Sequence, residues 1–404
     1  MFRIEMLPAA HGDCLWLEYG TGESVHRILI DGGPGHCYPA LRERILHLAP
    51  DNRRFDLLVV THIDADHIEG IVRLLQDAEA LRCEFDRIWF NGREQLNAVP
   101  DTAGHDLGAV QGEYLGLLIK DYESRTGRTV WNVDLPAPYA AFDPAADALP
   151  AITLPGDCLL TLLSHDPERL LDLKDRWDEE LRKANIDPDD EEALRQRLAS
   201  NNQLQPLGDV LGDEPEALGE DRFELPDPDD RDLPDAFGDV LGGGDGEPGG
   251  DADFGGDGSV ANGSSIALLV EYPAADPDVR ALLSGDAWAD VLERALTKLL
   301  GNDERRLSLD LFKLPHHGSV ANVTESLLSR LSCKHYLIST SGARFRHPHA
   351  RAVELLLAQH KHRAHPRLHF NYLTITTQPW SDRDDQESRK YHAFHPRGLS
   401  LELP

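Results

Sequence analysis

The chain has 404 residues and a formal net charge of −31. It is long enough to bury a large core, and an evenly acidic surface would repel nucleic acid and anionic membranes. No stretch approaches the roughly 20 apolar residues of a membrane span, and residues 1–7 are typical of a strand, not of a signal peptide. The five cysteines have no metal-knuckle spacing, so we expect a cytoplasmic protein that does not act at membranes.

The residues before the acidic part of the chain alternate between strand and helix patterns. Short apolar runs between turn residues predict strands, and apolar residues at helical spacing predict helices. The alternation is typical of an α/β layered fold. In chain order, strands are expected at 1–7, 14–19, 27–30, 57–60, 87–90 and 159–163, and helices at 38–48, 67–77 and 107–126.

The composition changes sharply in the middle of the chain. Residues 205–258 contain 18 acidic residues, two arginines and no lysine, with many glycines and prolines. This composition cannot repay the entropy of folding, so it predicts a disordered insert. We therefore expect one fold in two halves, residues 1–200 and 259–404. The first half ends in a charged helical extension, 167–200, with a break at Asp187-Pro188.

The second half returns to regular patterns after the insert. Apolar runs and helical spacing again predict alternating elements. Strands are expected at 266–272, 281–284, 309–314, 336–339, near 373–375 and at 399–403, and helices at 289–300 and 350–360.

Four candidate metal ligands lie within six residues, directly after the apolar strand at 57–60. They are His62, Asp64, Asp66 and His67. A loop leaving a buried strand can turn alternate side chains inward, and His67 can join Asp66 on a second metal from the start of the next helix. Burying so many ionisable groups is costly unless a cation compensates them. A solvated loop with this composition by chance is the alternative, but the strand–loop–helix context favours a metal site.

Residues 61–70, THIDADHIEG, resemble the signature of metallo-β-lactamase-fold hydrolases. The similarity is greatest to the branch of the DNA-uptake protein ComEC, which has aspartate at the position of Asp64 where the wider superfamily has histidine. This resemblance implies an α/β fold, the αββα sandwich of two mixed sheets flanked by helices. The resemblance extends along the chain, with matches before the motif at residues 11–14 and 30–33 and after it at 262–265, 283–286, 314–319 and 347–349.

The resemblance also implies roles for residues of the second half. Asp286 resembles a carboxylate that bridges two metals, and His317 a distal ligand of the second metal. His316 would then face substrate phosphate or act as an acid, although the opposite order of the two histidines remains open. His347 and His349 are expected to contact phosphate or to support the ligands, and solvated turn histidines are the alternative.

Other candidates are weaker. Asp13 and Asp31 are expected to hold loops by accepting backbone N–H bonds rather than to bind metal. The wider superfamily often has a further histidine ligand between the first motif and Asp286, and here only His105 and His165 lie in the interval from residue 68 to residue 285. His165 is the better candidate, but a loop histidine is the preferred interpretation. The resemblance implies two divalent ions, and an oxygen-rich set of ligands shifts the preference from Zn²⁺ towards Mn²⁺, so either metal is expected.

The function implied by the resemblance is that of a phosphodiesterase, specifically a nuclease that cleaves DNA by two-metal activation of water. Asp64 or Asp66 would orient the nucleophile, and His316 or His349 would protonate the leaving oxygen. One alternative is a metallo-hydrolase of a small phosphodiester or of another ester or lactam. A second alternative is a metal-stabilised scaffold without enzymatic activity, whose acidic tether binds a basic partner.

The acidic insert suggests a form of regulation. A polyanion tethered beside a cationic cleft has a high effective concentration there, so it could block the path of nucleic acid. An activating protease or a basic partner would then cut or displace it, and a solubilising linker is the alternative. Basic residues near the end of the chain are either a phosphate track or a solvated face. They are Arg344, Arg346, Arg351, Lys361, His362, Arg363 and Arg367.

Overall fold

A computed structural model describes most of the chain outside the acidic insert. Its described residues are 1–22, 24–99, 109–164, 166–184, 186–200, 257–301, 305–360 and 365–403. The insert predicted at 205–258 therefore lies outside them except for its last two residues. His105, His165 and the basic residues at 361–363 also lie outside the described residues.

Strands and helices alternate as the sequence predicts, because apolar residues recur at period two in the strands and at helical spacing in the helices. In β1 the buried and partly buried positions alternate strictly. The strands are β1 (Phe2–Met6), β2 (Leu15–Thr21), β3 (Ser24–Ile30), β4 (Arg54–Phe55), β5 (Leu57–Val59), β6 (Glu84–Phe85), β7 (Ile88–Trp89), β8 (Ala151–Leu154), β9 (Cys158–Leu162), β10 (Leu268–Tyr272), β11 (Val279–Leu283), β12 (Leu307–Lys313), β13 (Leu331–Ile338), β14 (Arg367–Phe370), β15 (His392–Phe394) and β16 (Leu399–Leu403).

Helices cover the outer faces of the sheets, and several begin at a side-chain cap. Thr324 accepts the backbone N–H of Leu327 at the start of α9, and Asp382 accepts that of Asp385 at the start of α11. Such caps satisfy N–H groups that the first turn leaves free. The helices are α1 (Tyr38–Leu46), α2 (Ala65–Leu81), α3 (Arg93–Asn97), α4 (Ala109–Thr126), α5 (Pro167–Lys183), α6 (Glu191–Ser200), α7 (Val260–Gly263), α8 (Ala289–Leu300), α9 (Glu325–Ser329), α10 (Ala350–Gln359) and α11 (Arg383–Arg389).

The strands of the described residues form two large mixed sheets and one small sheet. The first large sheet has the order β16-β1-β2-β3-β5-β7, the second β15-β14-β13-β12-β11-β10-β9-β8, and β4 pairs with β6. Strand β16 pairs with β1, with Phe2 opposite Leu403, and β9 pairs with β10. Both large sheets therefore combine strands from before and after the insert.

Three apolar clusters define the layers. One cluster lies between the two large sheets and includes Ile28 of β3 and Leu283 of β11. A second packs α1, α2, α4, α5 and α6 on the outer face of the first sheet, and a third packs α8, α9 and α10 on the second. The fold is therefore α/β, with two mixed sheets stacked face to face and flanked by helices.

The strand predicted near residues 373–375 is wrong. Those residues form a turn after β14, and Leu373 and Ile375 are exposed. Thr377 closes the turn, because its hydroxyl accepts the N–H of Thr374 while its own N–H donates to the carbonyl of Thr374. Such local bonds compete with strand pairing. No helix within the described ranges is both long enough and apolar enough to cross a membrane.

Candidate metal centre

Four of the predicted site residues follow the carboxyl ends of neighbouring parallel strands. Asp31 follows β3 and His62 follows β5, which are parallel in the first sheet. Asp286 follows β11 and His317 follows β12, which are parallel in the second sheet. The carboxyl ends of parallel strands lie at one edge of their sheet. The two sheets are stacked, and the loops from these two edges meet, with His67 Nε2 3.4 Å from Asp286 Oδ2.

Two glycines allow the loops of this edge to approach the start of α2. A Cβ on Gly12 would lie 1.8 Å from the carbonyl oxygen of Asp66. A Cβ on Gly70 would lie 2.0 Å from the carbonyl oxygen of Gly32. Only a residue without a side chain fits such contacts. These positions hold the 62–67 segment against the loops after β1 and β3.

Asp31 orients two of the histidines. Its carboxylate accepts the N–H of Thr61 at 2.8 Å and the Thr61 hydroxyl at 2.7 Å. It also accepts Nδ1–H of His67 at 2.8 Å. Because the Thr61 hydroxyl proton is used on Asp31, its oxygen can accept Nδ1–H of His62, which lies 3.0 Å away. In both imidazoles Nδ1 therefore donates a hydrogen bond, which leaves Nε2 as the nitrogen that could bind a metal ion.

The third histidine has the same arrangement. Nδ1 of His317 donates to the carbonyl oxygen of Ser339 at 2.7 Å. The Nε2 atoms of His62, His67 and His317 are all buried without a hydrogen-bond partner, as is Oδ1 of Asp286. Buried polar atoms almost always have a partner. Metal-binding histidines characteristically use one ring nitrogen to donate to a supporting oxygen and the other to bind the ion.

The distances between these atoms also fit an ion. Asp286 Oδ2 lies 3.4 Å from Nε2 of His67 and 3.5 Å from Nε2 of His317, which lies 3.7 Å from Asp66 Oδ2. Ligand bonds of about 2.1 Å at tetrahedral angles place neighbouring ligand atoms about 3.4 Å apart. His62, His67 and Asp286 form one group that could hold a metal ion, and Asp66, His67 and His317 form another.

The charges in the cluster favour a cation. Burial alone would raise the pKa of Asp66 and Asp286, but the nearby imidazoles outweigh burial and keep both pKa values below the usual range. Burial also acts to lower the pKa of His67, yet Asp286 and Asp31 raise it well above its usual value. The ionised carboxylates therefore attract positive charge, which either protons or metal ions can supply.

Asp64 and Asp13 stand apart from the other candidates. The side chain of Asp64 is 39% exposed, and its Oδ2 lies 3.6 Å from His62 Nε2. Asp64 belongs to none of the candidate groups, although it lies beside one. Asp13 was expected to accept backbone N–H bonds, but its carboxylate instead contacts the ammonium of Lys313, and its Oδ1 lies 3.5 Å from His317 Nδ1. Asp13 also joins a candidate group with Asp286 and His317.

Lys313 is a member of the cluster that the sequence analysis missed. It is fully buried, and its ammonium contacts Asp13, donates to the carbonyl of Gly285 at 3.1 Å and lies 3.7 Å from Asp286 Oδ1. Burial acts to lower its pKa, but Asp13 and Asp286 raise it, so the lysine stays charged. The signal in the sequence is a lysine inside the otherwise apolar run 311–314, which predicts a buried strand. An unpaired charge is too costly in such a strand.

His316 lies beside the cluster and is held by two other side chains. His316 and His317 both have left-handed backbones, with φ of 45° and 53°, a conformation that costs about 1 kcal/mol or more for such residues. Nδ1 of His316 lies 3.0 Å from Asn322 Oδ1 and 3.2 Å from Asp257 Oδ2. Burial lowers its pKa, but Asp286 and Asp257 outweigh burial and raise that pKa to about 9.

The surroundings of His316 bear on two predictions, the extent of the insert and the choice of ligand between His316 and His317. Asp257 lies within the predicted disordered insert, but it belongs to the described residues, and its carboxylate also accepts an amide N–H of Asn262 at 2.8 Å. Of the two adjacent histidines, His317 lies in the candidate groups. His316 has its Nε2 3.9 Å from Asp286 Oδ2.

The remaining predicted histidines line the same edge. His347 is buried, and its ring centre lies 5.0 Å from that of His316 and 6.3 Å from that of His317. Burial, with His316 next in weight, lowers its pKa to about 2, so it is neutral. Nδ1 of His349 accepts the N–H of Val320 at 3.0 Å. The predicted role of His165 lies outside the described residues.

The described residues thus form an α/β protein with a buried cluster of histidines and aspartates that could hold a metal ion. No known family model matches the chain, and no curated protein matches it.

Proposed function

We propose that this protein is a metal-dependent phosphodiesterase of the metallo-β-lactamase fold, in the ComEC-like branch, and that it is a nuclease acting on DNA. The observation that carries the proposal is the buried triplet of Nε2 atoms on His62, His67 and His317. Each ring is fixed through Nδ1, and each Nε2 lacks a partner beside Asp286. The two stacked mixed sheets with outer helices support the αββα assignment.

The donor atoms suit two divalent cations, Zn²⁺ or Mn²⁺. His62 and Asp286 would hold one ion, and Asp66, His67 and His317 the other, with Asp64 beside His62 at the exposed edge. Lewis acidity from such ions, when bound, lowers the pKa of water and neutralises the charge of a phosphoryl group.

The chain itself supplies a proton donor. His316 lies beside Asp286 but outside the candidate groups, and Asp257 and Asn322 hold its Nδ1. Its Nε2 is therefore aimed by two side chains rather than by rotamer preference alone. In this proposal Nε2–H of His316 protonates the leaving oxygen of the phosphodiester, and Asp257 is the positioning residue. The raised pKa of about 9 keeps this imidazole protonated at neutral pH, so Nε2 carries the proton that the step requires.

The acidic insert is proposed to keep the nuclease inactive until a protease cuts it or a basic partner displaces it. The support is that Asp257, near the carboxyl end of the predicted insert, contacts His316 at the cluster. A polyanion that starts there is tethered next to any bound substrate. The five cysteines are unpaired, which supports the cytoplasmic location proposed for the enzyme.

The central test combines metal analysis with turnover. Purified protein is assayed for bound Zn²⁺ and Mn²⁺, and for cleavage of supercoiled plasmid and of bis-p-nitrophenyl phosphate. Asp66→Ala is expected to lower metal content and to reduce plasmid cleavage about 100-fold or more. Asp51→Ala, at an exposed position, is the matched control.

Three other outcomes of this test would count against a metal-dependent nuclease. Cleavage that persists in Asp66→Ala, or without any metal, would contradict the proposal. Hydrolysis of bis-p-nitrophenyl phosphate without plasmid cleavage would favour a small phosphodiester as substrate. Metal binding without turnover of either substrate would favour a metal-stabilised scaffold.

The insert is tested separately. Residues 205–256 are deleted, or replaced by a Gly/Ser linker of equal length, so that Asp257 is kept in both variants. Faster plasmid cleavage in both variants supports autoinhibition by the polyanion. Rates equal to those of the full chain would remove the autoinhibition idea and leave the insert as a solubilising linker.

A further inference from the structure

Large apolar side chains are exposed on two loops that touch one another. Phe345 is 49% exposed, Leu373 is 58% exposed and Ile375 is 82% exposed. Elsewhere in the described ranges, only Met1, Leu46 and Leu299 are large apolar residues with comparable exposure. Three of the six exposed large apolar residues that the structure describes are thus gathered on the loops after β13 and β14. Such clustering marks binding surfaces.

These loops lie at the rim of the histidine cluster. The Thr376 hydroxyl donates to the carbonyl of His347 at 2.8 Å, which joins the two loops. The ring of Phe345 lies 6.0 Å from that of His347 and 6.1 Å from that of His11. The ring of His347 in turn lies 6.3 Å from that of His317. The ring of His347 therefore lies between Phe345 and the predicted metal ligand His317.

Arginines directly precede and follow Phe345 in the chain. The guanidinium of Arg344 lies 5.2 Å from the ring centre of Phe345, and Arg344 and Arg346 are both exposed. The ion pairs found among the described residues include neither arginine. The two guanidiniums are therefore available to an anion at the rim of the proposed site, where their charge would offset the repulsion between a polyanionic substrate and a strongly acidic protein.

We propose that Phe345, flanked by Arg344 and Arg346, is a stacking platform for an unpaired base of single-stranded nucleic acid. This inference rests on the proposed nuclease function and specifies the form of its substrate. An exposed aromatic face binds a base of any sequence, and neighbouring arginines bind the adjoining phosphates. Bases inside a duplex are already stacked and paired, so only an unpaired base can cover this ring. Leu373 and Ile375 would provide apolar contact beside it.

Binding of a labelled oligonucleotide tests the platform. A single-stranded 12-mer is compared with the same strand made abasic throughout, in Ca²⁺ to keep divalent charge at the cluster while slowing hydrolysis. Wild-type protein is expected to bind the abasic strand about 5- to 150-fold more weakly, the range for loss of one stacked base. Phe345→Ala is expected to lose the same factor on the normal strand and to show no preference for bases.

Two further variants separate stacking from a general loss of structure. Phe345→Trp keeps an aromatic face and is expected to keep the preference for bases. Leu299→Ala removes an exposed apolar residue on α8, outside both loops, and is expected to behave as wild type. A wild-type protein that binds both strands equally, or a Phe345→Ala variant that still prefers bases, would overturn the proposal.

Failure of the platform can be told apart from failure of the nuclease function. Metal-dependent plasmid cleavage together with equal binding of both strands would refute the platform and leave the nuclease intact. Base-dependent binding lost in Phe345→Ala, without any cleavage, would support the platform and refute the nuclease. If Phe345→Ala instead weakened binding to vesicles containing phosphatidylglycerol and left oligonucleotide binding unchanged, the loops would be a membrane-binding surface and the platform would be wrong.

Discussion

Removing the charge of Lys313 should destabilise the fold strongly. The lysine is fully buried, and its ammonium contacts Asp13 and lies 3.7 Å from Asp286 Oδ1. Lys313→Met keeps the volume of the stem but leaves these two buried carboxylates without the cation between them. Removing one partner of a buried ion pair costs about 3–5 kcal/mol. The cost is high because the remaining charge cannot be reached by water.

The corresponding change in melting temperature follows from the size of the fold. About 330 residues are described, and unfolding entropy of about 2.1 cal/mol/K per residue gives about 0.7 kcal/mol/K. The loss is thus expected to lower the Tm by about 4–7 °C. Thermal unfolding is measured at pH 7 in EDTA, so that no metal replaces the missing charge. Lys334→Met, an exposed lysine on β13, is the control and should change the unfolding free energy by less than about 0.5 kcal/mol.

A second variant tests the stated cause. In Lys313→Met/Asp13→Asn one of the two unpaired carboxylates, that of Asp13, is neutralised as well, so the double variant should be more stable than Lys313→Met alone. If the single variant lost less than about 1 kcal/mol, or if the double variant were less stable than the single one, the buried ion pair would not be what stabilises this part of the fold.

Three further predictions follow from other contacts. Thr61→Val removes a hydroxyl that orients the cluster and should weaken metal binding about 10- to 100-fold in a chelator-competition titration; unchanged affinity would contradict this. Gly70→Ala, which would gain about 1 kcal/mol in an exposed helix, should instead lower denaturant stability, because its Cβ would lie 2.0 Å from Gly32 O. Burial lowers the pKa of His335 to about 4 and of His369 to about 3, and their rings share a 2.9 Å hydrogen bond. Since the unfolded chain takes up these protons first, stability should fall as pH drops from about 6.5 towards 4, and His369→Phe should reduce that fall by about 2 kcal/mol at pH 5.

Elements with strong local signals could be predicted from the sequence. The helix expected at 289–300 is found at Ala289–Leu300, where its apolar spacing ends at Gly301, a residue with φ of 75°. The strand β14, Arg367–Phe370, was not predicted, because its charged and histidine residues conceal a buried strand. His369 is accommodated there by a hydrogen bond to His335 on β13. That partner is fixed by sheet order, which local patterns do not contain.

The candidate site could likewise be predicted only in part from the sequence. The segment from His62 to His67 could be recognised because its ligands are close in sequence and follow a buried strand. The contacts of Lys313 with Asp13, and of His316 with Asp257, join residues far apart in the chain. Such pairs depend on how the two sheets stack, so the sequence gives the residue types without their partners.

The balance of charge at the cluster links the fold to the proposed chemistry. Asp13, Asp31, Asp66 and Asp286 are carboxylates gathered at one edge, and Lys313 is the buried ammonium among them. One ammonium cannot neutralise four carboxylates, and burying the excess is costly. Protons on the imidazoles can supply the missing charge, as the raised pKa of one of them indicates, but each proton occupies a nitrogen that would otherwise bind an ion. Divalent cations and protons therefore compete for the same atoms, and the excess negative charge that is costly to bury is also what would attract metal ions.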